Sequence, residues 1–230
     1  METELTSLRI KAERLGTIPE VTTFLTDLET AYNSIYAFNF LVDTLEQDRH
    51  RRLRQFAEHF HRYRKYWKEF SDRKDFPFDP FMYEMFFEEY ALSRAKGFSP
   101  NLLELQSKID IEKVVLPSDR LVISKVNIQS PGFWEVLGSL NPLQQIREYL
   151  KDRHERQKDK EFRNKQEKEK GELDLEEQRN KIISQRIDIL KSLGHSETEI
   201  RQLVMVMVTQ PLNRLGRHQD NNQIEGPDEQ

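Results

Sequence analysis

The chain has 230 residues, 36 of them Lys or Arg and 40 Asp or Glu, for a formal net charge of −4. That near balance gives no overall attraction to nucleic acid or an anionic membrane. The absence of cysteine excludes disulfides, thiolate zinc sites, iron–sulfur clusters and thiol nucleophiles. Only 8 Gly and 9 Pro disfavour an all-β or loop-rich fold.

In chain order, Leu8, Ile10 and Ala12 alternate with Arg9, Lys11 and Glu13, the period of a half-buried strand. Pro19 then opens an amphipathic helix carrying Val21, Phe24, Leu28, Tyr32, Ile35, Tyr36 and Leu45 at three- and four-residue steps, expected to cover one face of the sheet. A second helix is read from Gln47 to Phe70, with an apolar stripe of Phe56, Phe60, Tyr63, Trp67 and Phe70. Its other face is basic. Pro77 and Pro80 break the pattern, and a short aromatic helix with Glu84, Glu88 and Glu89 follows. Ser99 and Pro100 read as the cap and first position of a further helix.

Residues 121–128 (LVISKVNI) predict the second strand, stopped by Ser130-Pro131-Gly132. Pro131 to Leu140 reads as an apolar turn, in the core or at a protein interface. Asn141-Pro142 begins a helix that runs into a block where 21 of the 31 residues from Lys151 to Lys181 are charged. Such a stretch cannot enter a core and predicts a long solvated helix. Apolar residues return at Ile182, Gly194 reads as a left-handed cap, and Ser196 to Glu199 as a capping box. Pro211 is expected to close the last helix, and the polar end to be disordered.

The expected fold is α+β and helix-dominated: a small two- or three-stranded sheet packed by long helices, then a long charged helix and a C-terminal helical hairpin. The expected organisation is an α+β module over 1–140, the charged helix over 141–193, the hairpin's last helix over 194–216 and a disordered tail over 217–230.

The segment SPGFWEVLGSLNPLQQIREYLKDRHERQKD, Ser130 to Asp159, with LETAYNSIYAF at Leu28 to Phe38, resembles a group of uncharacterised bacterial proteins, many of them cyanobacterial. The resemblance implies a unit of organisation: a short strand, a Gly-Ser-Leu-Asn-Pro-Leu turn and a charged helix. It implies no reaction.

No Gly-x-Ser-x-Gly, Gly-x-Gly-x-x-Gly or Gly-Lys-Ser/Thr motif occurs, and no nucleophile, base and orienting group converge in the sequence. His59 and His61 are two apart on a helix and point away from each other. Neither a catalytic residue, a metal site nor a cofactor is expected. The helix around Met205 is apolar on all sides, which demands burial on all sides. The expectation is a non-enzymatic, cytoplasmic assembly protein, a homo-oligomer that self-associates through its C-terminal helices at Ile183, Ile187, Leu190, Leu203, Val204, Met205, Met207 and Val208, with the charged helix as a spacer, single or paired in a coiled coil, and an N-terminal module binding an unidentified protein. The less favoured alternative is a nucleic-acid-binding module using Arg49, Arg51, Arg52, Arg54, Arg62, Arg64 and Lys65 on phosphates. No stretch is long and apolar enough to span a bilayer.

Overall fold

The computed structural model describes residues 5–13, 16–71, 101–127, 131–158 and 181–227, with backbone only for 56–71, 112, 157 and 158. It is a helix-dominated α+β protein. In chain order the elements are β1 (Leu5–Ala12), α1 (Ile18–Ser71), α2 (Leu102–Ser107), α3 (Ile111–Val114), a 3₁₀ turn (Pro117–Asp119), β2 (Val122–Asn127), β3 (Gly132–Ser139), α4 (Leu140–Lys158), α5 (Lys181–Ser192), α6 (Glu197–Val204), a π-helical segment (Met205–Thr209), α7 (Gln210–Asp220) and β4 (Ile224–Pro227).

The sheet has four antiparallel strands in the order β2-β3-β1-β4. β1 buries Leu8, Ile10 and Ala12 as its alternation predicts, and β3 supplies Val136 opposite Leu8 and Trp134 opposite Ile10. β3 occupies residues expected to form a turn. Its apolar side chains fall on both faces, so the period-two signal vanishes. Phe133 on the outer face is covered by Arg9, whose guanidinium carbon lies 3.7 Å from the ring centroid, a cation–π contact.

Helix α1 covers the inner face. Phe24 packs on Trp134 with ring centroids 5.8 Å apart. Tyr32 lies so close to Gly138 that a β-carbon there would sit 2.9 Å from the ring, so this strand position needs glycine. The two helices read at 17–45 and 47–70 are one. No Gly or Pro occurs between Glu20 and Ser71, so nothing breaks the ladder. Its 54 residues span about 80 Å at ~1.5 Å per residue. At the start of α2 the cap is Asn101, whose Oδ1 accepts from the N–H groups of Leu103 at 3.0 Å and Glu104 at 3.1 Å. Ser99, Pro100 and the region of Glu84, Glu88 and Glu89 lie outside the described residues.

Helices α4, α5, α6 and α7 share one hydrophobic core with β1, β3 and α1. Leu143, Ile146 and Leu150 of α4 and Ile183, Ile187 and Leu190 of α5 are buried in it. The flanks of the charged block are therefore core helices. Its centre, residues 159–180, lies outside the described residues. Gly194 has φ 90°, the predicted left-handed cap. Ser196 and Glu199 form the predicted reciprocal box.

The chain does not stop at Pro211. Proline has no N–H to give the carbonyl four residues back and its ring crowds that carbonyl, here that of Met207. The helix widens instead: Gln210 N–H donates to Met205 O, five residues back. The Met207 carbonyl accepts from Ser34 Oγ of α1 at 2.7 Å. Ser34→Ala is expected to lower stability by about 1–3 kcal/mol, the cost of orphaning a shielded acceptor, in urea denaturation; an unchanged midpoint would show that solvent serves this carbonyl.

The tail expected to be disordered is ordered to Pro227. Ile224 is buried and β4 pairs with β1. Polar side chains hold it by reaching main-chain oxygens. Gln219 Nε2 donates to Leu150 O at 3.0 Å and Glu225 O at 2.6 Å, and Gln223 Nε2 to Glu20 O at 3.1 Å. Composition reads these residues as solvated; position makes them ties.

Candidate interaction surface

β2 is an edge strand, paired among the described residues with β3 alone. Its register sets which side chains share a face. Ile123 stands opposite Val136 and Val126 opposite Trp134, so both belong to the face that β1 and β3 turn toward the core. Val122 stands opposite Leu137, and Lys125 opposite Glu135, on the outer face. A bulge at Ser124 allows this, because it inserts one residue between Ile123 and Lys125. The Ser124 hydroxyl donates to the Glu135 carbonyl at 3.0 Å and fixes the bulge.

Among the described residues the helical layer ends short of β2. Val122 is 54%, Ile123 46% and Val126 43% exposed, and Leu137 beside them 36%. An apolar strand bare on both faces is unusual. Open strand edges template pairing with another chain, and contiguous exposed apolar surface marks interaction sites. Leu116, before the 3₁₀ turn, is also exposed.

A buried polar cluster fixes the segment leading into β2. Asp119 is buried, and its Oδ2 accepts from Tyr36 at 2.6 Å. Tyr32 donates to the Asp119 carbonyl and accepts from Ser139 N–H at 2.8 Å. Burial, above all, pushes both phenol pKa values up from 10.0, and for Tyr36 the hydrogen bond to Asp119 adds to the rise. Three elements, α1, the turn and the end of β3, are joined here. The sequence reading missed this cluster. Its signal was two tyrosines four residues apart on an otherwise apolar helix stripe, which carry hydroxyls into the interior.

A second cluster lies nearer the start of α1. His218, buried on α7, hydrogen-bonds through Nδ1 to Gln223 Oε1 at 2.7 Å and through Nε2 to Asp27 Oδ2 at 2.9 Å. A cleft of about 520 Å³ lined by Pro19, Glu20, Thr23, His218, Asn221 and Gln223 adjoins it. Both ring nitrogens are committed to side-chain oxygens, so neither is offered to a molecule in the cleft. The cluster reads as a clasp between α1 and the C-terminal turn.

The predicted self-association residues are placed differently from expectation. Ile183, Ile187, Leu190, Leu203, Val204, Met207 and Val208 are buried in the chain's own core. α6 and the π segment pack against α1, α2 and α5 of the same chain, which buries one side of each. Only Met205, 36% exposed, faces outward, with Val206 at 39%.

Of the predicted phosphate contacts whose side chains are described, two are engaged within the chain and two are exposed. Arg49 Nη1 donates to Ser192 O at 3.1 Å, tying α1 to the end of α5. Arg52 pairs with Asp48 one turn back. Arg51 and Arg54 are exposed. Arg62, Arg64 and Lys65 lie on α1 where the described structure is backbone only, as do His59 and His61. Among the described residues no group of three His, Cys, Asp or Glu is placed to hold a metal ion, and no helix is long and apolar enough to cross a membrane.

The chain matches no protein-family model, no curated protein and no solved structure.

Proposed function

We propose that the chain is a non-enzymatic interaction and assembly protein whose docking element is the sheet edge at β2. The observation that carries this reading is a strand with three apolar side chains, exposed on both faces, at an open edge. Strand addition fits that geometry: main-chain hydrogen bonds along the edge supply affinity, and side chains on alternate faces supply selectivity. The C-terminal helices, buried as they are, serve as the platform that positions the sheet. The Tyr32–Asp119–Tyr36 cluster holds the entry to β2 in place.

The test is site-specific photocrosslinking in producing cells. A photoreactive side chain at Val122 is expected to join the chain to a polypeptide, and Ile123→Glu with Val126→Glu in the same molecule to abolish that adduct. The same group at exposed Gln202 on α6 is expected to give none of it. No adduct at Val122, or one that survives the double substitution, overturns the reading.

A further inference from the structure

We infer that the polypeptide added to β2 is a second copy of this chain, its own β2 running antiparallel about a two-fold axis between Ser124 and Lys125. This rests on β2 being the docking strand and names its occupant.

The bulge carries the argument. A bulged strand breaks strict alternation, so Ile123 and Val126, three apart, share one face, while Val122, Lys125 and Asn127 share the other. A regular strand laid along this edge matches faces on one side of the bulge only, because one residue of slip exchanges faces. The matching strand must carry the same irregularity at the same place, and a second β2 does. Pairing about the midpoint sets Ile123 of each copy opposite Val126 of the other and Val122 opposite Asn127. The inner-face residues then meet inner-face residues along the whole strand.

Charge is compatible with this register. Two Lys125 side chains approach on the outer face, and each stands opposite Glu135 of its own β3, so the seam carries two cations and two anions. Isologous two-fold contact is the commonest form of self-assembly. The product is a continuous eight-stranded sheet in which Ile123 and Val126 of both copies form one apolar patch. Bulge and lysine are also devices that keep an edge from indiscriminate addition; here they leave one register open.

The chain has no cysteine, so introduced thiols report cleanly. Residues opposite each other in an antiparallel pair are ~4.5–5.5 Å apart at Cα, inside disulfide range. Ile123 and its own counterpart are three residues out of step, about 10 Å at ~3.4 Å per residue, and cannot bridge. The purified full chain is expected to sediment as a dimer. An equimolar mixture of Ile123→Cys and Val126→Cys chains is expected to oxidise to a mixed disulfide, and neither variant alone to link. Ile123→Glu with Val126→Glu is expected to weaken dimerisation roughly 30-fold or more, as loss of a central apolar contact does, with an unchanged circular dichroism spectrum because both residues are on the surface. A monomeric chain, homotypic disulfides or a mixture that does not link overturns the self-pairing. If the chain is monomeric while Val122 in cells still captures another polypeptide in a manner lost on the double substitution, self-pairing fails and β2 remains the docking strand. If Val122 captures nothing, both fall.

Discussion

Leu203→Asp is expected to prevent folding, not to dissociate an oligomer. Leu203 is fully buried on α6, enclosed by α2 and α5 of its own chain. Truncating such a leucine costs about 2–5 kcal/mol. A carboxylate in its place adds the penalty of an unpaired buried charge, several kcal/mol more. The sum is comparable with the whole stability of an ordinary domain, about 5–15 kcal/mol. Met205→Asp, two residues on but facing outward, is the control. It is expected to leave the melting temperature within a few degrees of the parent and the sedimentation unchanged. Circular dichroism and analytical ultracentrifugation of both variants decide the matter. A well-folded Leu203→Asp chain that has merely become monomeric would mean that the C-terminal helices join copies, and would reverse the placement of α6.

Tyr32→Phe is expected to cost about 2–6 kcal/mol. The hydroxyl serves two main-chain groups, donating to the Asp119 carbonyl and accepting from Ser139 N–H. Its removal orphans both, at about 1–3 kcal/mol each. Tyr36→Phe removes the donor at 2.6 Å on Oδ2 of the buried Asp119 carboxylate, whose Oδ1 also accepts from the Ser118 hydroxyl at 3.2 Å, and falls in the range of a single loss, about 1–3 kcal/mol. The same pair predicts an alkaline limit. Both phenols ionise above their ordinary value of 10.0 in the folded chain, chiefly because burial disfavours the anion. Above pH 10 the unfolded chain gives up these protons first, and the folded chain binds more of them. Stability therefore falls as pH rises beyond that point. Urea titrations from pH 8 to 11 are expected to show the decline, and the double Phe variant to show a shallower one. Immediate phenolate absorbance from all 7 tyrosines on a jump to high pH, with the fold intact, would contradict the buried cluster.

The two sets of variants separate the parts of the protein. Leu203, Ser34, Tyr32 and Asp119 belong to the platform, and changing them alters stability. Ile123, Val126 and Val122 belong to the exposed edge, and under the proposed reading changing them is expected to alter association alone. The fold is expected to tolerate substitution at β2, because the strand is anchored from behind through its ladder to β3 and from its entry through Asp119.

Local patterns settled much of the architecture in advance. Strict alternation from Leu8 to Ala12, the three- and four-residue steps of α1, the Ser196–Glu199 box and the left-handed Gly194 depend on neighbours in the chain, so they are readable there. What escaped the sequence depends on partners far along it. Apolar residues from Phe133 to Leu137 form a strand because β1 and β2 flank it, and Arg9 shields the outer ring. Pro211 sits within a continuing helical path because Ser34, 173 residues before Met207 in sequence, takes up the Met207 carbonyl that the proline leaves. The polar tail is ordered because Gln219 and Gln223 find main-chain oxygens on α4 and α1. The apolar run from Val204 to Val208 called for burial on every side. The packing of this chain's own helices buries Val204, Met207 and Val208 and leaves Met205 and Val206 exposed. Among the described residues the same packing leaves β2 uncovered, which no residue pattern announces, since three apolar residues read alike whether a helix reaches them or not.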